Sequence, residues 1–146
     1  LSPPTTLKAR QAGLKELVNI TEKNIPVIQA GVGTTGVFIK NHPDLLKRYL
    51  QAYVEALKFI RSEPAKTKKV IAKYTKTTSQ EDLDESYRSF LVAWEKSPYV
   101  STAAIQTLID FSQHPAAKSA KPNQFIDNAF IAELERSGFI EQVYRQ

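Results

Sequence analysis

Four carboxylates within five positions, Glu81, Asp82, Asp84 and Glu85, form the densest group of acidic oxygens in the sequence. Such oxygens suit a hard cation or proton sharing, but a cation site draws its ligands from several elements. These four fall in the first turns of one expected helix, where the macrodipole favours negative charge. We read them as structural, and expect no metal site. The two histidines, His42 and His114, are far apart and form no H-x-x-x-H pair. Cysteine is absent, which removes thiol nucleophiles, thiolate metal sites and disulfides together. No G-x-S-x-G nucleophile elbow occurs. Catalytic residues are therefore not expected. Gly31, Gly33 and Gly36 match the bare G-x-G-x-x-G dinucleotide pattern. That fingerprint needs a strand before and a helix after it. Here a strand is expected to follow, so no dinucleotide cofactor is expected, nor any other.

What remains is a pair of small, polar segments, Ser2-Pro3-Pro4-Thr5 and Gln29-Ala30-Gly31-Val32-Gly33-Thr34-Thr35. Both offer hydroxyls and backbone donors without formal charge. The first is expected at the end of a strand leading into a helix, the edge where ligands collect in open α/β sheets. Glycine in the second lets backbone approach a ligand or bend. The candidate ligand-binding residues are Ser2, Pro3, Thr5, Gln29, Gly31, Gly33, Thr34 and Thr35. Their chemistry suits a small polar or anionic molecule held by hydrogen bonds.

The elements that must position them follow from punctuation and periodicity. Thr5 or Thr6 is placed to cap a short helix that Gly13 ends in a left-handed conformation. Leu17-Val18-Asn19-Ile20 and Val37-Phe38-Ile39-Lys40 read as short strands, with Ile25 to Ala30 extended between them. From Asn41, taken as a cap, the pattern turns helical. Leu46, Tyr49, Leu50, Tyr53, Val54, Leu57 and Ile60 recur at intervals of three and four. Ser62-Glu63-Pro64 starts a second long helix that ends near Tyr74. Ser79 and Asp82 resemble a capping box before the stripe Leu83, Tyr87, Phe90 and Trp94. Ser101 caps the helix of Ile105, Leu108 and Ile109, and Asp127 caps a last one that Gly138 closes. The fold class expected is α/β and helix-rich, more than half helical with two or three short strands.

Composition bounds the rest. The 146 residues are 42% hydrophobic and 24% charged, a globular balance on the scale of one domain. No apolar run reaches the length of a membrane span. With no methionine, even at position 1, the chain is expected to be a processed or excised piece. Residues 1–78 carry a net charge of +9 and residues 79–146 a net of −4. Lys66, Lys68, Lys69, Lys73 and Lys76 surround the stripe Val70, Ile71 and Tyr74, as on a solvated helix face. A basic helical module for nucleic acid or an adaptor is the alternative class. Aromatic residues are not interleaved with those lysines as a stacking platform requires, so no nucleic acid is expected.

The order of segments also resembles a known family. Leu1-Ser2-Pro3-Pro4, Ala12-Gly13-Leu14-Lys15-Glu16-Leu17, Ile25-Pro26, Thr34-Thr35-Gly36-Val37-Phe38-Ile39-Lys40, Asn41-His42-Pro43-Asp44 and Tyr49-Leu50-Gln51-Ala52-Tyr53-Val54-Glu55-Ala56 carry the likeness. With the ending Glu133-Leu134-Glu135-Arg136-Ser137-Gly138-Phe139-Ile140, they are similar to the C-terminal part of periplasmic solute-binding proteins. The group is the nitrate, sulfonate and taurine family, which includes thiamine-precursor binders. The resemblance implies the C-terminal portion of a two-lobe type II periplasmic-binding-protein fold. Residues 1–28 would end the second α/β lobe, 29–36 would be the hinge crossing, and 37–146 would continue the first lobe with a helical extension. It also implies the role: capture of a small molecule for a bacterial ABC importer, with a membrane permease as partner. The location implied is periplasmic or anchored outside the cytoplasm. A related enzyme, the pyrimidine synthase of thiamine biosynthesis, has a cysteine-rich segment where this chain has Val32-Gly33-Thr34-Thr35. The chain is therefore not expected to be an enzyme. Lacking the first half of each lobe, it would leave Leu7, Leu17, Val18 and Ile20 exposed, and self-association, a swapped arrangement or disorder of residues 1–30 is expected.

Overall fold

The computed structural model describes residues 1–19, 23, 25–28 and 30–145, with the backbone alone at Ala93. It is 66% helical, and no strand occurs among the described residues. The expectation of an α/β chain forming the C-terminal portion of a two-lobe type II periplasmic-binding-protein fold is therefore corrected to an all-α chain. The majority of helix is present, but the sheet is not. Val37 to Lys40, expected as a strand, lie in helix α2, Gly36–Asn41. Thr35 starts that helix by accepting the Phe38 N–H on its side-chain oxygen at 3.2 Å. The physical reason is pairing. An isolated strand leaves its N–H and C=O groups without a ladder, whereas a capped helix satisfies them within the segment. Leu17, Val18 and Asn19 adopt no regular element, and Leu17 is 94% exposed. Ile20, the end of that expected strand, lies outside the described residues.

The chain divides into two compact units. The first comprises residues 1–19 and 53–96. It holds α1 (Thr5–Gln11), the second half of α3 (Pro43–Ser62), α4 (Pro64–Thr75) and α5 (Gln80–Ala93). Its core is Val54, Leu57, Leu83 and Tyr87, the residues that the three-and-four spacing places inward. Ser79 caps α5 by accepting the Asp82 N–H, as expected. Tyr87 donates its hydroxyl to the Ile60 carbonyl at 2.8 Å, and Arg61 donates to the Trp94 carbonyl. Helix α1 buries no residue. Charge holds it to α5 instead: Arg10 pairs with Glu85 at 2.6 Å, Lys8 with Asp82 at 3.7 Å, and Gln11 donates to Glu81 at 3.0 Å. The carboxylate group thus anchors α1 as well as complementing the start of α5. Neither Thr5 nor Thr6 caps α1, which opens after Pro4 without a side-chain cap. Gly13 does close it, with φ of +80°.

Thr67, on the inner face of α4, is 5% exposed and its hydroxyl has no hydrogen-bond partner among the described residues. Thr67→Val replaces that buried hydroxyl by a methyl of similar size. It is expected to stabilise the protein by about 1 kcal/mol. A thermal melt checks this: the variant should melt a few degrees higher, and a lower midpoint refutes the account.

The second unit comprises residues 20–52 and 97–146. It holds α2, the first half of α3, α6 (Thr102–Phe111), α7 (Ala129–Arg136) and α8 (Phe139–Arg145). Two short 3-10 turns, Pro115–Ser119 and Pro122–Gln124, link α6 to α7. Leu46, Leu50, Ala104, Ile131, Leu134 and Ile140 are its buried side chains. Ser101 caps α6, as expected. Asn41 ends α2 rather than capping α3. Asn128 is the residue before α7 and makes no side-chain cap bond, whereas Asp127, the expected cap, accepts the N–H of Ala129, the first residue of α7, at 3.0 Å. Asn128 bonds both backbone groups of Val100, accepting its N–H at 2.9 Å and donating to its carbonyl at 3.0 Å. Gly138, at φ of +75°, separates α7 from α8.

Three titrating groups tie stability to pH. The Lys68 hydrogen bond at 2.7 Å, followed by that from Gln80, holds the Asp84 carboxyl below its ordinary value. The hydrogen bond from Lys47 does the same for Glu133. A carboxyl whose folded pKa is lowered stabilises the fold above its ordinary pKa, and that contribution is lost as pH falls through the folded value. Tyr99 is the opposite case, since its bond to Glu135 at 2.6 Å pushes the phenol above its ordinary value. Its contribution is present below about pH 10 and lost above the raised value. The melting temperature is expected to be level between about pH 5 and 8 and to fall below about pH 4. Lys68→Gln should flatten the acid limb, and a midpoint that rises on acidification contradicts this.

Candidate functional site

Within the second unit, the loop 31–34, helix α2 and the start of α3 frame a groove of about 510 Å³. Its walls are Gly31, Val32, Gly33 and Thr34 on the loop, Phe38 on α2, and Leu45, Leu46 and Tyr49 on α3. The volume is within the usual range for small-molecule sites. Leu46 forms the buried floor at 7% exposure, whereas Tyr49 stands 54% exposed at the rim. Local sequence explains the frame. The Thr35 cap fixes where α2 begins, and His42 passes directly into Pro43, a residue suited to the first turn of α3. The Leu46 N–H donates to the His42 carbonyl at 3.1 Å, tying the start of α3 to that corner. The His42 ring lies 5.0 Å from the Phe38 ring at 47°, a tilted contact on the same corner.

No charged side chain lines this groove. Two aromatic rings and two leucines provide apolar contact, and the Thr34 hydroxyl with the loop backbone provides hydrogen bonds. Such a lining can hold an organic body by ring contact and burial. A formal charge on the ligand would meet only neutral donors here. Among the described residues no group of three His, Asp or Glu is arranged to hold a metal ion.

The residues expected from sequence are distributed unevenly. Gly31, Gly33 and Thr34 are brought together on the groove. Thr35 sits beside them, with its hydroxyl oxygen already engaged as the α2 cap. Gln29 lies outside the described residues. Ser2, Pro3 and Thr5 belong to the first unit, where the Ser2 carbonyl accepts the Thr5 N–H at 2.9 Å and Thr5 begins α1. They are not among the walls of this groove. A methyl added at Gly33 meets nothing within 4 Å, and one at Gly31 makes ordinary contact with Ile28 at 3.7 Å. Neither position requires glycine for backbone conformation or for space.

Val32, Phe38, Leu45, Leu46 and Tyr49 are walls of the groove that are not among the residues expected from sequence. Phe38 was placed in a strand, and Tyr49 on the buried stripe of α3. Leu45, one position from the inward Leu46, is off the buried stripe and so could have been read as exposed, whereas Tyr49, three positions on, shares the face of Leu46 and carries no such signal. The chain matches no protein-family profile, no curated protein and no solved structure. No described helix is long and apolar enough to cross a membrane.

Proposed function

We propose that this chain serves the capture component of an ABC importer outside the cytoplasm, and that it takes a small organic molecule in the groove of the second unit. The observation that carries this reading is the lining. Phe38 and Tyr49 face the same space as a glycine-rich loop with a free-standing threonine, and no charged or metal-ligating group intervenes. That combination favours binding without chemistry. The ligand class it fits has an aromatic or branched apolar body and a polar end that loop backbone and Thr34 can meet. The assignment to import rests on the resemblance in segment order to the nitrate, sulfonate and taurine binders, and not on their α/β fold, which this chain does not have. A membrane permease is the partner under this reading.

The test is a thermal-shift screen of the chain against aromatic carboxylates, pyrimidines, sulfonates and branched aliphatic acids. A ligand present at about 100 times its dissociation constant stabilises by about 2.7 kcal/mol, a shift readily seen. We expect at least one compound with a ring or branched body to raise the midpoint. If inorganic anions alone do so, or if no compound does, the capture reading is wrong.

A further inference from the structure

Helix α4 presents a face that neither the groove nor the core uses. Between Pro64 and Ser79 the chain carries five lysines and no Asp or Glu. Lys68 turns inward, bonding Asp84 at 2.7 Å with its ammonium 5.9 Å from the Tyr87 ring centre. The other four, Lys66, Lys69, Lys73 and Lys76, are exposed. At about 100° per residue, Lys66, Lys69, Val70, Lys73 and Tyr74 share one arc of about 140°. Lys76 follows at the end of the helix in a left-handed conformation, φ of 58°. Val70 is 49% and Tyr74 75% exposed, and the Lys73 ammonium lies 5.4 Å from the Tyr74 ring centre. Among the described residues the acid paired with these four lysines is Glu63, 3.2 Å from Lys66 in an exposed pair of little energetic weight. Lys69 and Lys76 have no acidic partner among the described residues.

We propose that this face of α4 rests on an anionic lipid surface. Four like charges within about 15 Å along the helix axis repel one another, and an external layer of negative charge relieves that repulsion. The shape of the array selects the kind of layer. All four are lysines, point charges without the forked donors that read individual phosphates or carboxylates. Lys66, Lys69 and Lys73 lie on the exposed side of one helix and Lys76 at its end, so they present a convex face rather than a groove. The arc is bordered on one side by Val70 and Tyr74, and tyrosine is enriched where membrane meets water. An acidic leaflet supplies both the diffuse field and the interfacial layer. Each lysine near such a surface strengthens binding about 5-fold, equivalent to about 1 kcal/mol. The association is thus reversible and salt-sensitive, and it stands independently of the groove.

The experiment is co-sedimentation of the chain with vesicles of phosphatidylglycerol in phosphatidylcholine, against vesicles of phosphatidylcholine alone. Binding is expected to the first only, and to weaken as salt is raised. The triple variant Lys69→Gln/Lys73→Gln/Lys76→Gln should lose about 100-fold in partition, following about 5-fold per lysine. The corresponding three Lys→Arg changes should retain it. Lys40→Gln/Lys118→Gln/Lys121→Gln removes the same net charge from the second unit and should leave partition within a few-fold. Equal loss in that control overturns the proposal, because net charge rather than the α4 face is then responsible. Equal binding to neutral vesicles overturns it as well. So does tighter binding to duplex DNA with the same dependence on the α4 lysines, which makes the face a nucleic-acid surface instead.

Discussion

Leu134→Ala is expected to cost the protein about 3 kcal/mol and to lower its melting temperature by roughly 6–12 °C. Leu134 is 1% exposed, on α7, in a unit whose other buried side chains include Ile131 on the same helix and Ile140 on α8. Truncation removes three carbons, the branching Cγ and its two methyls, and leaves a cavity that two short helices joined at Gly138 can only partly fill. Large-to-small changes of this kind cost about 2–5 kcal/mol, a large share of a typical stability of about 5–15 kcal/mol. Leu14→Ala is the control, since Leu14 is 64% exposed and its truncation should move the midpoint by no more than a degree or two. Urea titration gives the free energies directly. If Leu134→Ala melts within 2 °C of the parent, by about the lower bound of that scaling, the second unit does not close around α7.

Helices with a sustained period were legible, because burial of one face imposes it. Leu46, Leu50, Val54 and Leu57 are all buried, at the intervals of three and four that mark α3. Ser79 and Ser101 were legible as caps because their hydroxyls act on N–H groups three residues on. Gly13 and Gly138 were legible because positive φ favours glycine. Val37, Phe38 and Ile39 were not, because three consecutive apolar residues have no period. Their β-propensity pointed to a strand, yet no ladder partner exists among the described residues and the Thr35 cap favours the helix. Helix α8 escaped notice because Gly138 reads equally as the end of a chain of helices and as a joint between two.

The site was half legible for a related reason. Gly31, Gly33 and Thr34 announce a flexible polar loop by composition alone. The opposite walls depend on the angle at which α2 turns into α3 at His42 and Pro43: Thr35 and Pro43 mark where the two helices begin, but not how they are oriented. The carboxylates show the same limit. Their position at the start of α5 was evident, but Arg10 reaching Glu85 across 75 positions is a product of folding.

Replacing Phe38 and Tyr49 together by alanine is expected to weaken, by about 100-fold, the compound that gives the largest thermal shift. Each ring can cover roughly 50 Å² of a ligand's apolar surface, worth about 1.2 kcal/mol at about 25 cal/mol per Å². A favourable ring contact adds about 0.5 kcal/mol or more for an aromatic ligand. Each ring is thus worth about 8-fold by burial alone and about 18-fold with the ring contact, so two rings on one ligand are worth on the order of 100-fold if they act independently. Thr34→Val removes one neutral hydrogen bond and should cost only about 2- to 12-fold. Tyr49→Phe keeps the ring and should bind nearly as the parent does. Lys66→Ala and Lys69→Ala should leave this affinity unchanged, since neither residue is among the walls of the groove. Calorimetric titration of each variant distinguishes the cases, and circular dichroism confirms that the helices persist. If the lysine variants lose the compound while the ring variants keep it, binding takes place on α4 and the groove is empty of function.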